Sequence, residues 1–241
     1  MGIGAATCHA LAKLGMQVAI GDLDVNSARD VARALPGNGH AAWNADVTKE
    51  SSIEALFNDV EVSLGPIAVL VCAAGGPLIT PEYRPRISEM TLEHWAKTDA
   101  LNARGAFLCI REFLRLREKT PVTDGRIIAL SSLAALTAGS SETDAAYSSS
   151  KAAIIALIRN AAVQGGPLGI TANAIAPGLI DTPGVRFGTT QVQRDAAAKV
   201  APLGRLGRDT EVAAMIAFLA SPEGSYVTGQ TIGVNGGRYM N

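Results

Sequence analysis

Tyr147 and Lys151 stand four residues apart in Tyr147-Ser148-Ser149-Ser150-Lys151, and two hydroxyls, Ser131 and Ser132, precede them. On a helix, residues four apart share a face with Cβ atoms about 5–6 Å apart, so the Lys151 ammonium can lie beside the Tyr147 oxygen. A free phenol has a pKa of about 10. A neighbouring cation favours the phenolate and lowers that value toward the range useful for proton transfer at neutral pH. The spacing therefore offers Tyr147 as an acid/base. The alternative is a solvated Tyr/Lys pair on an ordinary helix, and the rest of the chain has to decide between the two.

The chain has 241 residues, 48% of them hydrophobic, with a net charge of −1 and a pI near 6.3. That length and apolar content suit one domain over residues 1–241 with an ample core. The near-neutral balance gives no electrostatic footing for nucleic acid or an anionic membrane. No apolar run reaches the roughly 18–20 residues of a bilayer span, and the first residues lack the charged and apolar regions of a signal peptide. The expectation is a soluble cytoplasmic protein. Cys8, Cys72 and Cys109 are odd in number, widely spaced and set in apolar sequence. They read as buried thiols rather than a disulfide framework or metal knuckle. His9, His40 and His94 show no metal-ligand spacing and are assigned structural or surface roles, so no metal is expected. Trp43 and Trp95 read as packing residues, because no basic residues interleave with them.

Short β-rich runs at 17–21, 40–44, 67–71, 126–130, 170–174 and 231–234 alternate with helical patterns at 5–14, 25–35, 49–64, 91–119, 146–164 and 210–220. Such alternation predicts a mostly parallel, doubly wound α/β sheet flanked by helices. The run Ile67-Ala68-Val69-Leu70-Val71 supports it, since parallel strands are covered on both faces. Ligands of such sheets bind at the carboxyl ends of the strands, and the N-terminus of the first helix receives a phosphate. Gly2-Ile3-Gly4 opens that helix here, and Asp22 closes the next strand, where an acidic side chain accepts hydrogen bonds from an adenosine ribose. Asp22 would repel a 2′-phosphate, and neither Met1 nor Leu23 offers a compensating cation, so NAD is expected over NADP. A tight turn without ligand, and a cap on the following helix, are the plainer readings of the glycines and of Asp22.

With these residues in place, the chain resembles the short-chain dehydrogenase/reductase family over its whole length. The active-site helix matches at Tyr147-x-x-x-Lys151, the serine at Ser132 in Ile128-Ala129-Leu130-Ser131-Ser132, and the asparagine at Asn102 in Leu101-Asn102-Ala103-Arg104-Gly105. Further matches are Asp46-Val47 at the adenine, Ala74-Gly75 after the family's fourth strand, and Pro177-Gly178-Leu179-Ile180-Asp181-Thr182 near the nicotinamide. The resemblance implies a Rossmann-like fold and hydride exchange between NAD(H) and a small-molecule alcohol or ketone. Ser132 would hydrogen-bond the substrate oxygen, and Tyr147 would move its proton. Lys151 would tune Tyr147 and hold the nicotinamide ribose. Asn102 would anchor a water linking Lys151 to solvent, or else break the helix by bonding backbone. The backbone of Ile180 and Thr182 would fix the carboxamide. A homodimer or homotetramer built on helices 91–119 and 146–164 and on the C-terminal strand is also implied.

Two departures stand out. The sequence begins at the second glycine of the family's pattern, so the usual first strand is lacking. This points to a start assigned too far downstream or a shortened chain, rather than a rearranged sheet. A gap of about 4.8 Å per lost pairing is expected at the centre of the sheet, with weakened cofactor binding. The second departure is Cys72-Ala73-Ala74-Gly75 where the family has Asn-Asn-Ala-Gly, which removes strand-tying amides. The substrate pocket is expected from 76–90, 133–146 and 179–208, the last with a helical lid, and Arg84 or Arg86 could clamp an anion. Two other readings are an NADPH-dependent 3-oxoacyl-acyl-carrier-protein reductase, which Asp22 disfavours, and a non-catalytic relative that binds a nucleotide or partner.

Overall fold

Every expected strand forms, each within about two residues of its sequence bounds except for the longer β5. The computed structural model describes residues 2–80, 83–137 and 144–240. Its order is α1 (Ile3–Lys13), β1 (Ala19–Asp22), α2 (Val25–Ala34), β2 (Ala41–Asn44), α3 (Glu50–Leu64), β3 (Val69–Cys72), α4 (Leu92–Asp99), α5 (Gly105–Lys119), β4 (Gly125–Leu130), α6 (Ala145–Gly165), β5 (Ile170–Pro177), α7 (Pro183–Gly188), α8 (Gln191–Val200), α9 (Asp209–Ala220) and β6 (Thr231–Val234). All strand pairs are parallel. The strands nevertheless form two sheets, β1-β2 and β3-β4-β5-β6. Between the facing edges of β1 and β3 lies a cavity of about 1420 Å³. This is the central gap expected from the sequence.

The core divides between the two faces of the larger sheet. On one side Phe57 of α3, Phe113 of α5 and Ile158 of α6 pack with Ile127 and Ala172. On the other, Leu11 of α1 and Ile216 and Leu219 of α9 pack with Ile128 and Ile175. Every residue of β4 is buried, as a parallel strand covered on both faces demands. By contrast, β1 is largely exposed and β3 only half-buried, because each has an edge on the cavity.

Three local features differ from the expectation. Helix 91–119 is not continuous, since a π-helical turn at Ala100–Arg104 separates α4 from α5. Asn102 causes it in part: its Nδ2 donates to the Thr98 carbonyl at 2.9 Å, competing with the backbone ladder. Helices α7 and α8 both occupy the segment read only as a lid. Thr182 caps α7 with Pro183 following it, and a reciprocal Thr190/Gln193 box starts α8. Finally, Trp95 is 42% exposed instead of packed.

Ile158 has no exposed surface, whereas Val62 on α3 is 80% exposed. Ile158→Ala is expected to lower unfolding free energy by about 2–5 kcal/mol in urea titrations, through lost transfer energy plus a cavity. Val62→Ala should stay within about 0.5 kcal/mol of the parent.

Candidate active site

The carboxyl ends of β3, β4 and β5 converge on one cleft, and α6 enters it from the side. Asp144 starts α6: its Oδ1 accepts from the Tyr147 N–H at 2.8 Å, satisfying one of the open donors of the first turn. One turn further along, Lys151 is buried and its Nζ donates to the Leu130 carbonyl at 2.8 Å. Ser131 Oγ donates back to the Lys151 carbonyl, also at 2.8 Å. Ser131 is thereby committed to backbone. Ser132 is not committed in that way: its Oγ accepts from Ala134 N–H at 3.1 Å, and its hydroxyl is the polar neighbour that acts on the Tyr147 phenol.

The electrostatics correct one expectation. Burial raises the Tyr147 phenol above its ordinary value of 10.0, and the Ser132 hydrogen bond offsets this only partly. Burial also lowers Lys151 from 10.5 to about 8, with the Cys72 charge acting in the opposite sense. The Lys151 ammonium is 5.7 Å from the Tyr147 ring centroid, over its face. At that separation it does not overcome the desolvation of the phenol. Tyr147 is therefore the protonated partner at neutral pH.

Asn102 is buried in the π-helical turn and ties it to the loop after β3. Its Oδ1 accepts from Gly76 N–H at 3.0 Å, and its Nδ2 donates to the Gly76 carbonyl at 3.1 Å. Asn102 thus bonds backbone, and its Oδ1 lies on the side of Gly75 where Lys151 Nζ also lies. Gly75 lies between them with φ of +136°, and a Cβ there would sit 2.5 Å from Asn102 Oδ1 and 3.1 Å from Lys151 Nζ. Only glycine meets both demands.

The remaining sequence candidates fall on the same end of the sheets. Gly2 precedes α1 with no side-chain cap, leaving the Ile3 and Gly4 turn open to an anion. A Cβ on Gly2 would touch Thr182, and one on Gly4 would touch Ala73, each at 3.8 Å. Asp22 ends β1, where its Oδ1 accepts from Asp24 N–H at 2.9 Å. Asp46 is held by Thr48, whose hydroxyl and N–H keep the carboxyl below its usual range. Val47 packs against Gly105. Ala74 precedes Gly75 in the loop after β3, and Pro177 ends β5. Gly178 N–H donates to the Val234 carbonyl at 3.0 Å, Ile180 is buried and bridges to Gly207, and Thr182 caps α7. The open helix start, the glycine cradle and an acceptor at the end of β1 fit a dinucleotide.

Residues 81, 82 and 138–143 of the expected substrate segments lie outside the described residues. Arg84 does not face the cleft as a bare clamp, since its Nη2 donates to the Gly188 carbonyl at 2.7 Å and joins two substrate loops. The neighbouring Cys109 thiol, together with burial, pushes Cys72 well up. Cys72 and Ala73 stand where the family has its two amides. Cys8 and Cys72 are half-buried instead of fully buried, and burial raises Cys8 to about 11. His94, expected in a structural or surface role, takes a structural one: its Nε2 lies 2.6 Å from Asp144 Oδ2 in a buried pair, against the edge of Tyr83. The spacing from Asp144 to Tyr147 is an N-cap signal that could have found Asp144; nothing in the sequence marked His94. Among the described residues, no group of three His, Cys, Asp or Glu could hold a metal, and no helix is long and apolar enough to cross a membrane.

A family model described as enoyl-(acyl carrier protein) reductase matches residues 1–238. The chain belongs to the short-chain dehydrogenase/reductase family. It is an oxidoreductase acting on CH–OH groups, of a family that uses NAD(P). It is 40% identical over 238 residues to the cis-4-hydroxycyclohexanecarboxylate dehydrogenase of Sinomonas cyclohexanicum, covering 98% of this chain and 92% of that one. To the (3R)-3-hydroxyacyl-CoA dehydrogenase of Mus musculus it is 34% identical over 249 residues, with 99% and 93% covered. Among solved structures, a mutant of the Serratia marcescens short-chain dehydrogenase/reductase superposes with a TM-score of 0.86 at 29% identity, with 98% and 93% covered. The α/β architecture of this family is the one described above.

Asp144→Ala removes the acceptor for Tyr147 N–H and strands His94 in a buried position. It should cost about 1–3 kcal/mol of stability in urea titrations. Asp144→Asn, which keeps an acceptor, should recover part of the loss. Equal stability of Asp144→Ala and the parent would show that the cap carries nothing.

Proposed function

We propose that this enzyme interconverts a secondary alcohol and a ketone with NAD(H), using Tyr147 as the acid/base. The observation that carries the proposal is the Tyr147 phenol set beside the Ser132 hydroxyl, with the buried Lys151 ammonium 5.7 Å from its ring centroid. When bound, the nicotinamide supplies or accepts the hydride. Ser132 holds the substrate oxygen against Tyr147. In reduction, the C=O π electrons take the Tyr147 proton as the carbon gains hydride, and the phenolate left behind is stabilised by Ser132 and Lys151. Oxidation runs the same path backward, with the alcohol proton moving to the phenolate. Gly2, Ile3, Gly4, Asp22, Asp46, Val47, Ala74, Gly75, Pro177, Gly178, Ile180 and Thr182 would hold the dinucleotide, and Asn102 would keep the loop after β3 beside Lys151. The similarity to cis-4-hydroxycyclohexanecarboxylate dehydrogenase makes ring-borne hydroxy acids the first substrates to assay.

Tyr147→Phe should lower kcat by about 10²- to 10⁴-fold while leaving cofactor affinity within about threefold. Because burial holds the phenol above 10.0, the protonated form dominates at neutral pH. Oxidation, which needs the phenolate, should therefore accelerate as pH rises through the alkaline range, and reduction should not. A flat oxidative profile from neutral to alkaline pH would remove Tyr147 from the role.

Asp22 at the exposed end of β1 supports NAD over NADP. Calorimetry should show at least tenfold tighter NADH than NADPH, about 1.4 kcal/mol, narrowing in Asp22→Ser. Equal affinities would favour the 3-oxoacyl reductase reading.

Exposed apolar side chains on three neighbouring helices, Leu92 and Trp95 on α4, Phe107 on α5 and Val163 on α6, support a homodimer or homotetramer through these faces. Light scattering at micromolar concentration should give two or four chains, and Trp95→Glu should shift it toward the monomer.

A further inference from the structure

Asp144 caps α6 from a buried position, whereas the caps Asp24 of α2, Thr91 of α4 and Thr190 of α8 are exposed. A serine or threonine in solvent starts a helix about as well, and a buried carboxylate costs free energy unless its oxygens are bonded. Both oxygens are bonded here. Oδ1 accepts from Tyr147 N–H at 2.8 Å, and Oδ2 lies 2.6 Å from Nε2 of His94 on α4. An ionised carboxylate only accepts, so the proton of that contact sits on His94 Nε2. His94 is held in turn. Its backbone N–H donates to the Thr91 hydroxyl at 3.1 Å, and its ring meets the Tyr83 ring edge-on, with centroids 5.5 Å apart at 71°. The backbones of Tyr83 and Thr80 exchange two hydrogen bonds of 3.2 Å, and Arg84 next to Tyr83 donates to the Gly188 carbonyl. One imidazole thus links the start of the helix that carries the phenol to a segment expected to line the substrate pocket.

We propose that His94 is a positioning residue for the reaction: through Asp144 it fixes the amide of Tyr147, and through Tyr83 it holds the substrate loop in the same frame. The inference rests on the reading of Tyr147 as the acid/base. Proton transfer needs the phenol oxygen within about 2.6–3.2 Å of the substrate oxygen, and a misplacement of about 1 Å costs on the order of 10²-fold. A carboxylate held at one oxygen lets the first turn of α6 swing with the Asp144 side chain, and the His94 contact removes that freedom. Lys151 is fixed separately, one turn on, by Leu130 and Ser131. Loss of the His94 contact would therefore displace the phenol and leave the ammonium, and cofactor binding with it, in place. A histidine that only fills the core would change stability without that split.

The test measures NADH affinity by calorimetry, and kcat and KM for NAD-dependent oxidation of a hydroxycyclohexanecarboxylate, on folded protein. His94→Phe keeps an aromatic ring for Tyr83 and removes the donor to Asp144. It should lower kcat by about tenfold or more, while KM and NADH affinity stay within about threefold. His94→Gln, which returns an N–H to Asp144, should recover much of the lost kcat. Tyr83→Leu leaves Asp144 paired, so it should raise KM and spare kcat. In a Tyr147→Phe background, His94→Phe should lower the residual activity no further, because the group it positions is gone. Parental kcat in His94→Phe, with Tyr147→Phe impaired, would overturn the inference and leave the acid/base reading standing. Full additivity of the two substitutions, or a loss of NADH affinity as large as the loss of kcat, would overturn it as well. Parental KM in Tyr83→Leu would break the link to the substrate loop. Unimpaired turnover by Tyr147→Phe would instead remove the acid/base reading, and the role of His94 with it.

Discussion

Two reciprocal hydrogen bonds, Lys151 Nζ to the Leu130 carbonyl and Ser131 Oγ to the Lys151 carbonyl, stitch helix α6 to the end of strand β4. The rest of the cleft depends on that stitch. It sets the rotation of α6, which puts Tyr147 one turn above Lys151 and within reach of Ser132. It also explains why a lysine is tolerated in a buried position. An ammonium that donates to a carbonyl keeps part of what it loses in leaving water, and its pKa of about 8 still leaves it mostly charged at neutral pH. Burial, the stitch and the two pKa shifts are one arrangement viewed from three sides.

The surrounding layers serve to hold this point still. Strands β4 and β5 are buried on both faces, so the ends that carry Ser132 and Gly178 inherit the rigidity of the core. Asp144 and His94 fix the start of α6 from outside the cleft. Arg84 couples the loop after β3 to the end of α7. Cys72 at the end of β3 lies against Cys109 of α5, an apolar contact between strand and helix.

Much of this was legible in the sequence, for physical reasons. Strand runs such as Ile67–Val71 and Arg126–Leu130 announce themselves because a buried parallel strand has to be apolar along its length. The Tyr147/Lys151 spacing is local, and local spacings survive folding. What escaped was decided by tertiary contact. The π-helical turn follows from where Asn102 finds its partners, Gly76 and Thr98, and only one of those is close in sequence. His94 meets Asp144 from 50 residues away. The direction of the Tyr147 shift depends on how much water the fold removes from the phenol, which spacing alone does not show. Trp95 reads as packing because no basic residues interleave with it, and its outward position reflects which face of α4 is left uncovered by α6.

Gly75 gives the site a different kind of component. Its backbone occupies the left-handed half of conformational space, and the point where a Cβ would stand is already claimed by Asn102 and Lys151. What the position contributes is a missing atom. Alanine scanning, which elsewhere deletes a contact and asks what is lost, would here insert one and push apart two neighbours that it never touched. A search for functional groups passes over such a position, because its part in the chemistry is to keep a space open.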